Sequence, residues 1–124
     1  MDQELLDAFR EESAENLKLL ESSISAIRAA PADPAAAKTL FRAAHTLSGI
    51  ASSLGFDEIA QLAKPLEKAL APIRDGKKIM DQDTLQLAHE CRLAIGMLCA
   101  DGPGSVPGTV VSDLLKRLAS SASL

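Results

Sequence analysis

Apolar residues recur along this chain at spacings of three and four, the period of a helix that buries one face. In the first such segment the apolar face is formed by Leu17, Leu20, Ile24 and Ile27. The pattern predicts five helices, over residues 2–29, 35–54, 57–74, 82–100 and 109–119. No segment alternates apolar and polar residues as a half-buried strand does, so we predict an all-α fold.

Proline and glycine mark the ends of these helices. Pro34 suits the first turn of the second helix, and Gly55 is placed to cap its C-terminal end. The very short turn after Gly55 makes the second and third helices antiparallel neighbours. Residues 101–108, rich in glycine and proline, read as a loop, and residues 120–124 are expected to form a flexible tail. The predicted architecture is an antiparallel four-helix bundle with an additional C-terminal helix.

The composition agrees with this architecture and narrows the possible functions. The 124 residues suit one domain, and with only 2% aromatic residues the core must consist of aliphatic side chains. A net charge of -4 and the lack of a basic run argue against a nucleic-acid partner. No apolar stretch approaches the roughly 20 residues that cross a bilayer, and the acidic N-terminus is unlike a signal peptide. We therefore expect a cytoplasmic protein with no membrane partner.

His45 lies on the polar side of the second predicted helix. At about 100° per residue it falls about 160° from Leu47, which marks the direction of the core. The imidazole should therefore face water, on a side shared with Lys38, Arg42, Gly49 and Ser52. Gly49 costs the helix about 1 kcal/mol relative to Ala, which the close approach of another molecule would explain. The alternative for His45 is an ordinary solvated histidine without a function. The alternative for Gly49 is a tight contact between helices.

Residues 40–49, with the sequence LFRAAHTLSG, continue through residues 54–56 (LGF) to residues 66–67 (LE). This arrangement resembles the core of a histidine phosphotransfer (HPt) domain. It is most similar to the N-terminal phosphotransfer domains of CheA-like kinases of chemotaxis and type IV pili. The family pattern is a helix with H-x-x-K-G, a turn with Leu/Phe-Gly-Phe/Leu, and a second helix. The resemblance implies an HPt domain over residues 1–119.

The resemblance implies a role for each matching residue. His45 matches the phosphoacceptor, whose outer ring nitrogen receives the phosphoryl group. Glu67 matches the carboxylate that holds the inner ring N–H and orients His45, which fixes the tautomer and leaves the outer nitrogen free to attack phosphorus. Gly49 matches the small residue that lets a partner dock. The partner-docking face is expected to contain Arg42, Ser48, Gly49 and Ser52.

Ser48 stands where the family pattern has lysine. That lysine lies one turn from the phosphoryl group and offsets part of its charge, whereas Ser48 brings no charge. We hypothesise that Lys64, one turn before Glu67 on the third helix, neutralises the phosphoryl group instead; an ordinary solvated lysine is the alternative. The missing lysine also leaves open a degenerate HPt domain, which would bind a receiver or kinase without efficient phosphorylation.

The function implied is that of a phosphoryl carrier in two-component signalling. His45 would accept phosphate from a CheA-like kinase domain or a receiver and pass it to a receiver-domain aspartate. The implied partners are a response-regulator receiver domain and an ATP-binding kinase domain, which bring the Mg²⁺ and ATP, so we expect no cofactor and no metal site in this chain. An independent catalytic site is not expected, because no phosphate-cradling glycine loop or paired catalytic carboxylates occur. A plain helical scaffold is the third possibility.

Overall fold

The computed structural model describes residues 2–122 of the chain, and this part is built from helices without a strand. The helices are α1 (Gln3–Ala29), α2 (Pro34–Leu54), α3 (Asp57–Arg74), α4 (Gln82–Asp101) and α5 (Gly108–Ala122). The first four form a closed ring in which α1 contacts α2 and α4, and α3 contacts the same two helices. Helix α5 packs outside this ring against α3 and α4. The predicted all-α fold, a four-helix bundle with an added C-terminal helix, is confirmed.

Short polar residues and glycine begin and end the helices. The Asp33 carboxylate accepts a hydrogen bond from the backbone N–H of Ala35, with Pro34 as the first residue of α2. The Asp81 carboxylate caps α4 in the same way by accepting from the N–H of Thr84 at 2.7 Å. Gly55 ends α2 in the left-handed conformation, with φ of 78°, which glycine adopts at little cost. These local signals explain why most predicted helix ends lie within one residue of the observed ends.

The core lies inside the ring and is filled with aliphatic side chains, as the composition predicted. Its largest fully buried members include Leu20, Leu40, Leu47, Leu62, Leu66, Leu70 and Ile95. Helices α2 and α3 also bury several small residues, namely Ala43, Ala44, Ala51, Ala60 and Ala63. Small side chains let two helix axes approach closely, so α2 and α3 form a firm pair. No helix within residues 2–122 has the length and apolar character needed to cross a membrane.

The C-terminal end of α5 differs from the prediction. Ser120, Ser121 and Ala122 continue the helix, so the expectation of a flexible tail from residue 120 was wrong for these three residues. The reason is tertiary: the Lys78 ammonium donates to the Ser121 carbonyl, and the Thr84 and Ser121 hydroxyls lie 3.1 Å apart. Residues 123–124 of the predicted tail lie outside the described residues.

Candidate functional site

His45 lies in the middle of α2 and points away from the core. Its side chain is 66% exposed, whereas Ala44 and Leu47 on either side of it along the helix are buried. This is the orientation that the helical period requires when the apolar residues of α2 face the other helices. The predicted exposure of the imidazole is confirmed.

Glu67 reaches His45 from the neighbouring helix α3. The His45 Nδ1 atom lies 2.5 Å from Glu67 Oε1, and Glu67 is itself only 24% exposed. An ionised carboxylate can only accept a hydrogen bond, so Nδ1 must carry the proton and donate it. The neutral imidazole then keeps its lone pair on Nε2, the nitrogen on the far side of the ring. The structure thus brings together the two residues that the resemblance had paired across 22 positions of the chain.

Phe41 and Arg74 complete the surroundings of His45 on one side. The Phe41 ring lies nearly parallel to the imidazole, with the ring centres 6.0 Å apart, and the Arg74 guanidinium carbon lies 4.0 Å from the centre of the Phe41 ring. Sequence reasoning missed both residues. Phe41 could have been found, because it precedes His45 by one helical turn. No sequence pattern near His45 indicates Arg74, because only the packing of α3 on α2 brings Arg74 close to Phe41.

A shallow depression beside His45 carries mainly positive charge. We call it the basic hollow, and it is lined by Lys38, Phe41, Arg42, His45, Arg74 and Asp75. Asp75 accepts two hydrogen bonds from Arg74, at 2.7 and 3.0 Å. These bonds raise the pKa of Arg74 and lower the pKa of Asp75, so both groups are charged at neutral pH. Three cations therefore face one carboxylate in the hollow.

Gly49 opens the surface on the other side of His45. A methyl group at Gly49 would meet nothing within 4 Å, which excludes a tight contact between helices as the reason for glycine here. Gly49 also lies in a groove between α1 and α2 that it shares with His45 and the half-exposed Leu5. A partner could therefore approach the α2 backbone closely at this point.

Ser48 was expected on the partner-docking face, and this expectation was wrong. Its side chain is only 4% exposed. Ser48 follows the fully buried Ala44 by one turn and precedes the fully buried Ala51 by three residues, so it belongs to the packed side of α2. Arg42, Gly49 and Ser52 are exposed on the same side of α2 as His45, as predicted.

Lys64 lies on the surface of α3, one turn before Glu67. Within residues 2–122 it forms no hydrogen bond or ion pair with His45 or Glu67. It lines instead a groove between α3 and α5, together with Lys68 and the apolar residues Leu115 and Leu118. The described residues also contain no group of three or more His, Cys, Asp or Glu side chains suited to hold a metal ion.

Comparisons with known proteins show the family to which the chain belongs. The Hpt domain family model matches residues 4–120. The chain is 34% identical over 85 residues to the chemotaxis protein CheA of Bacillus subtilis and 33% identical over 119 residues to CheA of Treponema pallidum. These alignments cover 68% and 95% of the chain, but only 13% and 15% of the two relatives. The chain therefore spans about a seventh of the length of the curated relatives it matches.

A solved structure shares the whole fold. The phosphorylated P1 domain of CheA3 from R. sphaeroides, solved in complex with CheY6, superposes with a TM-score of 0.88 over 98% of both chains. Its sequence identity of 24% makes this a likeness of fold. The family model, by contrast, extends from the first turn of α1 into α5 and includes both His45 and Glu67. This chain belongs to the Hpt domain family.

Proposed function

We propose that this chain is a phosphoryl carrier in two-component signalling and the phosphoacceptor domain of a CheA-like kinase. It accepts the phosphoryl group on Nε2 of His45 and passes it to an aspartate of a receiver domain. The observation that carries the proposal is the exposed His45 imidazole, whose Nδ1 is held by Glu67 at 2.5 Å. An exposed nucleophile with a fixed tautomer is what transfer between two large proteins requires.

The transfer step needs little chemistry from the chain itself. The Nε2 lone pair forms a bond to phosphorus while the bond from phosphorus to the leaving oxygen breaks, and the electron pair stays on that oxygen. In the first step the leaving oxygen belongs to ADP. In the second step an oxygen of the receiver aspartate forms the bond to phosphorus, the bond from phosphorus to Nε2 breaks, and its electron pair returns to Nε2. The Nδ1 proton remains between His45 and Glu67, where the carboxylate stabilises the positive charge that develops on the ring. Positioning and charge supply the rest of the catalysis.

The partners follow from this reaction. The R. sphaeroides neighbour is a phosphorylated domain in complex with CheY6, which supports a receiver as the acceptor. We assign its docking to the exposed face around His45 formed by Arg42, Gly49 and Ser52. The donor is an ATP-binding kinase domain, and the Mg²⁺ and ATP belong to the partners rather than to this chain. Since ATP is a cytoplasmic metabolite, we infer that the chain works in the cytoplasm.

Ser48, which stands where the family pattern has lysine, raises the question whether the chain is a working carrier and which cation neutralises the phosphoryl group. The intact contact between His45 and Glu67 favours a working carrier over a degenerate domain, because both groups needed for attack are in place. Lys64 is a candidate for neutralising the phosphoryl group, supported by its exposure and its position one turn from Glu67. Its side chain would have to leave the groove beside α5 to do so.

Incubation with a CheA-like catalytic core and radiolabelled ATP·Mg²⁺ tests the carrier directly. The label on the chain should be acid-labile and base-stable, as expected for a phosphorylated imidazole. The chain contains two histidines, so His89→Gln on α4 is a matched control for His45→Gln. We expect full labelling of His89→Gln and none of His45→Gln, followed by loss of label to an added receiver. Label that survives in His45→Gln, or a wild-type chain that no donor labels, would refute the proposal.

A further inference from the structure

We propose that the basic hollow is a binding site for the phosphoryl group carried on His45, with Arg74 as its principal ligand. The ligand class is a phosphoryl dianion attached to Nε2. This inference deepens the proposed function and rests on it. It also identifies the positive charge that replaces the lysine absent at Ser48.

The geometry of His45 directs the phosphoryl group away from Glu67. Because Nδ1 is occupied by the carboxylate at 2.5 Å, phosphorus attaches to the opposite side of the ring. The imidazole forms part of the lining of the basic hollow, and its plane is tilted by only 12° from that of Phe41. Arg74 lies over the same Phe41 ring. The imidazole and the guanidinium therefore line one small depression of the surface.

Arg74 is held in place before any phosphoryl group arrives. The face of Phe41 supports its guanidinium at 4.0 Å, and Asp75 accepts from Nε and from one Nη. An arginine has five N–H donors in a rigid fork that matches phosphate oxygens, so this contact leaves donors on the other Nη unused by Asp75. A side chain already fixed by two contacts loses less rotamer freedom when it binds a ligand.

A phosphoryl group on His45 needs a nearby cation to offset its charge. A phosphoryl group brings roughly -1.5 to -2 charges close to the Glu67 carboxylate, which repels it. Ser48 is uncharged and buried, so it offsets none of this charge. Lys38, Arg42 and Arg74 face the hollow, and Asp75 is the one opposing carboxylate among its lining residues. The hollow therefore places an excess of positive charge beside the imidazole that carries the phosphoryl group.

The test is ³¹P NMR of phosphohistidine in Arg74→Gln and Arg74→Lys, with Arg28→Gln as the control. Arg28 is an exposed arginine in the last turn of α1 and lines no part of the hollow. A cation beside the phosphoryl group favours its dianion, so we expect its pKa to rise in Arg74→Gln, to rise less in Arg74→Lys, and to stay unchanged in Arg28→Gln. Transfer from the kinase should slow about tenfold in Arg74→Gln.

Loading His45 with phosphoramidate, which gives up its phosphoryl group and releases ammonia, separates this inference from the proposed function. The hollow can then be probed by ³¹P NMR even if no kinase donates to the chain. An unchanged phosphoryl pKa in Arg74→Gln overturns the inference, provided that circular dichroism shows a native helix content. A shift in Lys64→Ala without one in Arg74→Gln would instead assign the phosphoryl group to the side of α3 that faces α5.

Discussion

Within residues 2–122, two of the ion pairs that join helices have contacts shorter than 3 Å, and they differ in which nitrogen atoms of the cation remain without a partner. His45 and Glu67 connect α2 to α3 through a single contact of 2.5 Å. Arg117 and Glu90 connect α5 to α4 through two contacts of 2.6 and 3.0 Å, and Asp113 binds the same guanidinium at 3.1 Å. Both pairs lie at the surface, where an ion pair contributes at most about 1 kcal/mol to stability.

The difference lies in the chemistry of the two cations. The Arg117 guanidinium is charged at every physiological pH and uses its N–H groups to fasten α5. The His45 imidazole makes one contact, through Nδ1, which orients the ring of a side chain that is 66% exposed and leaves its second nitrogen unused. The Arg117–Glu90 pair therefore attaches α5 to α4, whereas the His45–Glu67 pair, at a similar distance, orients a reactive side chain. An accessible unused lone pair distinguishes the reactive pair.

Exchanging each glutamate for glutamine should separate the two regions most clearly. Glu67→Gln removes the negative charge that fixes the His45 tautomer, so we expect the rate of phosphorylation to fall about tenfold or more. Glu90→Gln is the matched control on α4 and should leave that rate unchanged. The rates are measured with the same kinase core and ATP. Equal rates for the Glu67 and Glu90 variants would contradict the role assigned to Glu67.

Acid should loosen the attachment of α5 through Glu90. The hydrogen bonds from Arg117 hold the pKa of Glu90 below its ordinary value of 4.5. A carboxylate with a lowered folded-state pKa stabilises the fold above the ordinary pKa, and this contribution is lost as the pH falls through the lowered value. We expect faster hydrogen exchange of α5 amides below about pH 4.5, measured by mass spectrometry. In Glu90→Gln this added acid sensitivity should be absent.

Gly49 offers a stabilising change in the reactive region. A methyl group there meets nothing within 4 Å, and α2 is helical at this position, so Gly49→Ala should raise the free energy of unfolding by roughly 1 kcal/mol. Urea unfolding followed by circular dichroism measures the change. Gly49→Gln is the companion variant: it should keep the fold but weaken receiver binding, measured by titration calorimetry. A loss of stability in Gly49→Ala would show that this surface is packed.

Lys64 lies between the two regions and is expected to matter least. It lines the groove between α3 and α5, and within the described residues it forms no ion pair with the histidine site. We expect Lys64→Ala to slow phosphorylation by less than about threefold, as for a distant screened charge. Lys68→Ala, in the same groove, is the control. If Lys64→Ala alone slows the reaction, the lysine neutralises the phosphoryl group; if neither does, that role of Lys64 is excluded.

Sequence patterns determined the helices and the direction of His45. The period of apolar residues, the capping aspartates, Pro34 and Gly55 act over a few neighbouring residues, so they can be recognised without the fold. The resemblance led us to expect Ser48 on the docking face beside His45, yet Ser48 is buried. Helical periodicity gives the direction of a side chain but not how much of α2 the neighbouring helices α1 and α3 cover.

The tertiary structure alone decided that Arg74 and Asp75 join the charged groups around His45. Arg74 follows His45 by 29 positions and reaches the basic hollow because α3 runs antiparallel to α2 at close range. The helical state of Ser121 likewise depends on Lys78 and Thr84 from other parts of the chain. By itself the sequence determined the helices and the exposed histidine, since these depend on local periodicity. Contacts between distant residues set the charge and reactivity of that histidine, and they exist only once the helices have packed.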